Sequence, residues 1–358
     1  MKKFFAISML IVLATFVLCG CTTMDEKEKI EKRNYDCDTN YLPRVNFGAK
    51  FEPKGNYILH GAGQGLKTSF EDYSKALGKG ALPCVYNGYV SPHHKYVDWL
   101  TDTQNLMAIY NEDTDYIMYQ IGVHFNKDEN PDECYYDKVA SGEMDADVKA
   151  LIKVLKALKA PVYCRAGFEF NGEWNGYKDP EIYKKAFIRF SQLVKECEAD
   201  NIALVWCMNP DAREKDFMKY YPGDEYVDWF AIDIFRIGSA FSQTTEDFLA
   251  KANEHSKPVM VAESTPYMYD VTKGQGWTEW FEQYFKFVRE NPVIKSTFYI
   301  NWEWTKWPQW SNWGDARIEL ATNGILEKYR KEMTDPVYFN RTSKEKTLDA
   351  IYGAKSIK

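Results

Sequence analysis

Residues 160–199 read APVYCRAGFEFNGEWNGYKDPEIYKKAFIRFSQLVKECEA, and their reading decides the fold. The run 160–168 has the length of one strand, and apart from Arg165 it is apolar rather than alternating, as a strand buried on both faces would be. A polar turn holding two glycines follows. From Asp179 onward the apolar residues recur at helical spacing, with Asp179 placed to cap the helix and Pro180 in its first turn. A doubly buried strand followed by a helix is the repeating unit of a parallel sheet. At the junction one acid, Glu169, stands between Phe168 and Phe170. Carboxylates are seldom buried without a partner, so Glu169 is either a satisfied structural residue or a tuned acid.

The same unit recurs along the chain. Short apolar runs occur at NYILHG (56–61), LPCVYNGYV (82–90), DYIMYQIGV (115–123), APVYCRAGF (160–168), IALVWCMNP (202–210), VDWFAIDIF (227–235), KPVMVAES (257–264) and STFYINWEW (296–304). Between them lie segments of helical period, such as DADVKALIKVLKALKA from Asp145. Eight doubly buried strands, each followed by a helix, within about 300 residues predict an α/β chain folded as one (β/α)8 TIM barrel over 41–333. A doubly wound open sheet is the rival. Against it, GAGQG after the first run lacks the G-x-G-x-x-G spacing of a dinucleotide site, so no cofactor is expected.

Outside that domain the chain is of another character. Two lysines, an uncharged run from Phe4 to Leu18 and small residues before Cys21 suit a secretory signal over 1–20, and the run is short for a membrane span. Leu18-Cys19-Gly20-Cys21 resembles the bacterial lipobox, which implies cleavage before Cys21 and lipid on its thiol. A short anchor helix or a plain cleaved signal is the alternative. Residues 21–40 are mostly charged and read as a solvated tether, and a polar tail follows over 334–358. Loss of Lys2 and Lys3 with the signal takes the net charge from -7 to -9. An acidic chain with no basic patch argues against nucleic acid as a partner. Cys84, Cys164 and Cys207 fall in apolar runs, where a free thiol behaves as a small hydrophobe. No metal spacing is present, and His93 and His94 share a polar loop without one.

In a (β/α)8 barrel the active site lies at the C-terminal strand ends. Polar residues recur there: His60 and Gln64, Asn87 and Tyr89, Gln120 and His124, Arg165 and Glu169, Asn209, Asp233, Glu263, and Asn301, Trp302 and Glu303. Glu169 ends the fourth run and Glu263 the seventh, so barrel closure would set both over one opening. Two such carboxylates are what glycoside hydrolysis requires, one protonating the departing oxygen and the other attacking the anomeric carbon or activating water. Phe168 and Phe170, if they flank Glu169, would favour its protonated form and make it the acid. Glu263 would stay ionised beside Arg165 or Tyr267 and serve as nucleophile. Aromatic residues make up 16% of the chain, and Trp302, Trp304, Trp307, Trp310 and Trp313 fall within twelve positions. Pyranose rings stack on such faces while Asn, Gln, Arg and His take their hydroxyls. Trp302, at a strand end, is the expected platform. Asn171, Trp174, Asn209, Asp233, Tyr267 and Asn301 join His60, Gln64 and Arg165 as expected substrate contacts.

RAGFEFNGEWNGY, YPGDEYVDWFAIDIF, KPVMVAES and the tryptophan-rich end of the eighth run together resemble glycoside hydrolase family 26, which includes β-mannanases, over about residues 56–329. The resemblance implies a retaining (β/α)8 glycosidase with Glu169 as acid/base and Glu263 as nucleophile. Two positions depart from the family pattern: Phe168 stands where a His commonly precedes the acid/base, and Phe235 where a Tyr commonly holds the nucleophile.

The resulting expectation is a metal-free, monomeric, membrane-anchored endo-glycosidase of a bacterial cell envelope. Its partner would be a polysaccharide or oligosaccharide: β-mannan, β-glucan or β-xylan. A non-catalytic glycan-binding lipoprotein on the same barrel is the second reading. Glu303 is the alternative second carboxylate, although period two turns it to the other side of the strand from Trp302.

Overall fold

The computed structural model of the protein describes residues 41–63, 67–90, 111–112, 115–127 and 130–352. The signal, Cys21, the tether, Gln64, His93 and His94 lie outside them. Eight parallel strands form the core: β1 (Ile58–Ala62), β2 (Val85–Val90), β3 (Met118–Val123), β4 (Val162–Ala166), β5 (Ile202–Met208), β6 (Trp229–Ile234), β7 (Val259–Ser264) and β8 (Ile294–Tyr299). Each pairs with its neighbours in sequence order, and β8 returns to β1 with Leu59 opposite Ser296 and Ala62 opposite Tyr299. That closure makes a (β/α)8 barrel and removes the open-sheet rival. Nearly every strand residue is buried, which explains why the strands read as unbroken apolar runs.

The helices α1 (Lys67–Leu77), α2 (Tyr136–Ser141), α3 (Asp145–Ala157), α4 (Pro180–Glu196), α5 (Gln243–Glu254), α6 (Glu282–Glu290) and α7 (Ile325–Met333) surround the barrel. Helix α4 starts as its sequence predicts: the Asp179 carboxylate accepts the backbone N–H groups of Glu181 and Ile182 at 2.8 and 3.3 Å, and Pro180 opens the first turn. The expectation of a helix after every run is corrected between β5 and β6. Pro210, Pro222 and Gly223 interrupt that stretch, which holds only a 3-10 turn, Phe217–Tyr220. Phe217 and Tyr221 pack there against Trp206.

The N-terminal ends of the strands are plugged. Trp229 and Tyr163 donate to the Lys50 and Phe51 carbonyls, and Lys295 donates to that of Gly55. Past α7, a two-residue strand β9 (Tyr338–Phe339) pairs with Ile58 and Leu59, and α8 (Lys344–Tyr352) lays Tyr352 against Phe51. This end of the barrel is covered. The mouth at the other end, where the strands finish, is left for the site.

Candidate active site

The turn after β4 is held in an unusual conformation. Gly167 and Glu169 both have positive φ, 58° and 48°, a region that costs a side-chain-bearing residue on the order of 1 kcal/mol or more. The turn is latched against that strain: Gly172 donates to the Glu169 carbonyl at 2.9 Å, and the Asn175 amide donates to the Phe168 and Glu169 carbonyls at 3.0 and 3.1 Å. Glu169 is thereby aimed at the mouth. Its Oε2 accepts the Trp174 indole N–H at 2.6 Å and its Oε1 the Asn209 amide at 2.6 Å. Asn209 is itself fixed by Asn171, which accepts its backbone N–H at 2.9 Å and donates to its carbonyl at 2.8 Å.

The two phenylalanines do not enclose the carboxyl group between them as expected: Phe168 shares the cleft lining with Glu169, and Phe170 does not. Phe170 stacks on Trp206 at 4.3 Å and 10°, within the helix layer. Phe168 lies over the Arg165 guanidinium at 4.6 Å and meets the His124 ring at 4.6 Å. Its approach depends on Gly122, where a Cβ would come within 2.9 Å of the ring. The turn sends the two phenylalanines to different surroundings.

Glu263, at the end of β7, is bound differently. The Arg165 Nη2 donates to its Oε1 at 2.6 Å, and Nη1 of the same side chain reaches Asp233 Oδ2 at 3.4 Å. Arg165 and Asp233 have no exposed surface. Burial works against the Arg165 charge, yet the Glu263 and Asp233 carboxylates hold its pKa well above the guanidinium norm. Burial, followed by the Glu263 charge, pushes Asp233 well above the usual carboxylate range, with Arg165 pulling the other way. Of the two acids on this guanidinium, Glu263 makes the closer ion pair. A register shift after Ile232 brings Asp233 level with Glu263.

Both glutamates line one cleft of about 480 Å³, together with Tyr89, His124, Phe168, Trp174, Asn175, Asn209, Phe235, Trp304, Trp310 and Trp313. Asp211, Arg236 and Tyr267 complete its wall. The Arg236 guanidinium covers the Tyr267 ring at 4.4 Å, donates to its hydroxyl at 3.1 Å and pairs with Asp211 at 3.6 Å. The Tyr267 hydroxyl thus serves Arg236, and Glu263 takes its hydrogen bond from Arg165. Phe235 packs against Trp313 at 5.2 Å.

Several residues expected at the opening lie elsewhere. His60 is buried between Asn340 and Tyr73, both 2.7 Å from its ring nitrogens, because its place on β1 turns it toward the surrounding layer. Asn301 joins α1 to the loop after β8 through the Ser69 carbonyl and Glu319. Asn171 holds Asn209 from behind, and Asp233 is sealed beneath the cleft. Trp302 lies beside Trp307, outside the cleft lining, so the aromatic floor passes to Trp304, Trp310 and Trp313. Glu303 is paired with Arg317 at 2.9 Å and Lys306 at 2.7 Å, also outside the lining. Sequence reasoning missed Asp211 and Arg236. Each lies just past a strand-end residue that was recognised, in NPDAR and IFRIG. Among the described residues no group of three or more His, Cys, Asp and Glu side chains could hold a metal ion, and no helix is long and apolar enough to cross a membrane.

Comparison with known proteins adds an independent line. The family model described as Glycosyl hydrolase family 26 matches residues 97–296. The chain is 29% identical over 332 residues to the beta-1,3-xylanase TXYA of a Vibrio species, covering 83% of this chain and 68% of that one. It is 28% identical over 234 residues to a beta-1,3-xylanase of an Alcaligenes species, covering 57% of this chain and 49% of the other. The chain thus spans about two thirds and about half of these relatives. Among solved structures it is similar to GH26C from a Muricauda species, with a TM-score of 0.60 and 12% identity over 80% of this chain and 87% of that one, a likeness of fold.

Proposed function

Because the chain belongs to glycosyl hydrolase family 26, we propose that it is a retaining glycosidase that cuts a β-linked polysaccharide within the chain, with Glu169 as acid/base and Glu263 as nucleophile. The observation that carries this reading is the unequal treatment of two carboxylates in one cleft. Two neutral donors, Trp174 and Asn209, hold the Glu169 carboxyl group, a setting suited to a group that gives and takes a proton. Glu263 is held by a buried guanidinium, the partner suited to a carboxylate nucleophile.

In the first step Glu169 gives its proton to the departing glycosidic oxygen while Glu263 attacks the anomeric carbon, forming a covalent glycosyl-enzyme. In the second, Glu169 takes a proton from water, which displaces Glu263 and restores the original anomer. Trp304, Trp310 and Trp313 offer faces for the sugar rings, and Asp211 and Arg236 offer partners for their hydroxyls. Phe168 and Phe235 do not leave the carboxylates bare, since Glu169 has two donors and Glu263 has Arg165 without them.

The two relatives described above are β-1,3-xylanases, which makes β-1,3-xylan the first substrate to test, ahead of β-mannan and β-glucan. The experiment is a reducing-end assay of the purified domain on these polymers, followed by NMR of the newly released anomer. Release of the β anomer supports the reading. Binding without any new reducing ends would leave a glycan-binding protein on the same barrel, and an α product would exchange retention for inversion. The sequence LCGC further supports lipid attachment at Cys21 on the outer side of a bacterial membrane, which metabolic labelling with a fatty acid, abolished by Cys21→Ala, tests.

A further inference from the structure

We propose that Trp307 forms an outer sugar-binding subsite that carries the glycan past the cleft, an inference that rests on the glycosidase reading above. The segment WTKWPQWSNW, 304–313, has a tryptophan at every third position, and its backbone follows the same period. Trp307 donates to the Trp304 carbonyl, Trp310 to that of Trp307 and Trp313 to that of Trp310, at 3.0, 2.9 and 2.9 Å. Two 3-10 turns, Trp304–Lys306 and Pro308–Trp310, flank an extended Trp307. They gather the indoles into a cluster in which Trp304 meets Trp310 at 5.6 Å and Trp313 at 4.8 Å.

Trp307 differs from the other three. Trp304, Trp310 and Trp313 line the cleft, whereas Trp307 is outside it and 43% exposed. It is nevertheless continuous with them, since it meets Trp310 with ring centroids 6.4 Å apart, and the plane of Trp302 lies nearly parallel to its own, at 15° and again 6.4 Å. Among the described residues no protein acceptor takes the Trp307 indole N–H. Trp302, Trp307 and Trp310 together present a contiguous aromatic surface beside the cleft, which is what marks a binding patch, where a single exposed ring would not.

The surroundings of Trp307 select the occupant. Lys306 is exposed beside it, and Glu303, bridged to Lys306 and Arg317, stands behind. An aromatic face with charged hydrogen-bonding groups at its margin matches a pyranose, whose ring hydrogens stack while its hydroxyls bond at the edge. Continuity with the cleft makes that pyranose a further unit of the same chain that lies across Glu169 and Glu263.

The test compares Trp307→Ala and Trp307→Phe with the parent protein on β-1,3-xylohexaose and β-1,4-mannohexaose, and on an aryl bioside that fills the cleft alone. For Trp307→Ala, kcat/KM on the cleaved hexaose falls about two- to tenfold, mainly through KM, while the aryl bioside is unaffected and Trp307→Phe retains most of the activity. Equal activity on the hexaose, or an equal loss on both substrates, overturns the proposal. If the parent protein cleaves neither substrate, calorimetric titration with the hexaoses decides. Weaker binding by Trp307→Ala then keeps the outer subsite while the catalytic reading falls, and no difference in binding removes the subsite.

Discussion

The Arg165 guanidinium crosses the barrel to the Glu263 carboxylate, 2.6 Å away and 98 positions further along the chain. Arg165 ends no helix and caps no loop. It sits within β4, wholly enclosed, and its other terminal nitrogen is 3.4 Å from Asp233. One cation thus serves two acids of different strands, and the strand that presents Glu169 also supplies the partner of Glu263. The two carboxylates of the cleft are coupled through the backbone of β4.

Arg165→Met strands a buried carboxylate pair without its cation, and it is expected to cost roughly 3–5 kcal/mol of stability along with activity. Arg165→Lys keeps the charge but offers one point in place of two, so it is expected to fall between the two. Urea midpoints and kcat for the three proteins check this. A Met variant as stable as the parent would show that the pair is dispensable.

Removing either glutamate is expected to lower turnover about 10²- to 10⁴-fold. Azide distinguishes them. With Glu263→Ala a single displacement on an activated aryl glycoside yields the inverted glycosyl azide, and with Glu169→Ala two displacements yield the retained one. Rescue of Glu303→Ala rather than Glu263→Ala would transfer the nucleophile's role to Glu303.

Trp174→Phe keeps an aromatic ring and removes one of the two donors to Glu169. Loss of a hydrogen bond to a charged group is worth about 1.5–3 kcal/mol, so kcat on natural glycans, whose leaving group needs a proton, is expected to drop about tenfold or more. On an aryl glycoside with a good leaving group the change is expected to be small. An equal loss on both would mean that Trp174 shapes the cleft rather than the acid.

His60 gives the fold an acid-sensitive point. Burial lowers its pKa from 6.5 to about 4, while the unfolded chain takes up the proton near the ordinary value. Between those limits the unfolded state binds more protons. Stability is therefore full above pH 6.5 and declines as the pH falls toward 4, by roughly 3 kcal/mol from this residue. The urea midpoint of His60→Gln is expected to vary less between pH 7 and pH 4.5 than that of the parent. An unchanged slope would assign the loss to other groups.

The glutamates were legible because each ends an apolar run, and a polar group at a strand terminus has no packing reason to be there. The partners of those glutamates were less so. Trp174 and Asn209 reach Glu169 from five and forty positions away, and the phenylalanines beside it point elsewhere. His60 lies in the middle of β1, and Asn301 and Trp302 follow β8, yet alternation along the strand and the path of the loops turn them from the cleft. A strand-end position tells which end of the barrel a residue occupies, and only packing tells which way it faces.

The sequence by itself determined the number of strands, their doubly buried character and the end of the barrel at which chemistry is possible, because periodicity and caps are properties of contiguous residues. Tertiary structure alone decided that Arg165 binds Glu263, that Asp233 is sealed beneath them and that Trp304, Trp310 and Trp313 supply the floor. Those relations depend on closure of β8 onto β1, which brings together side chains from distant strands, and no local pattern encodes the distance between them.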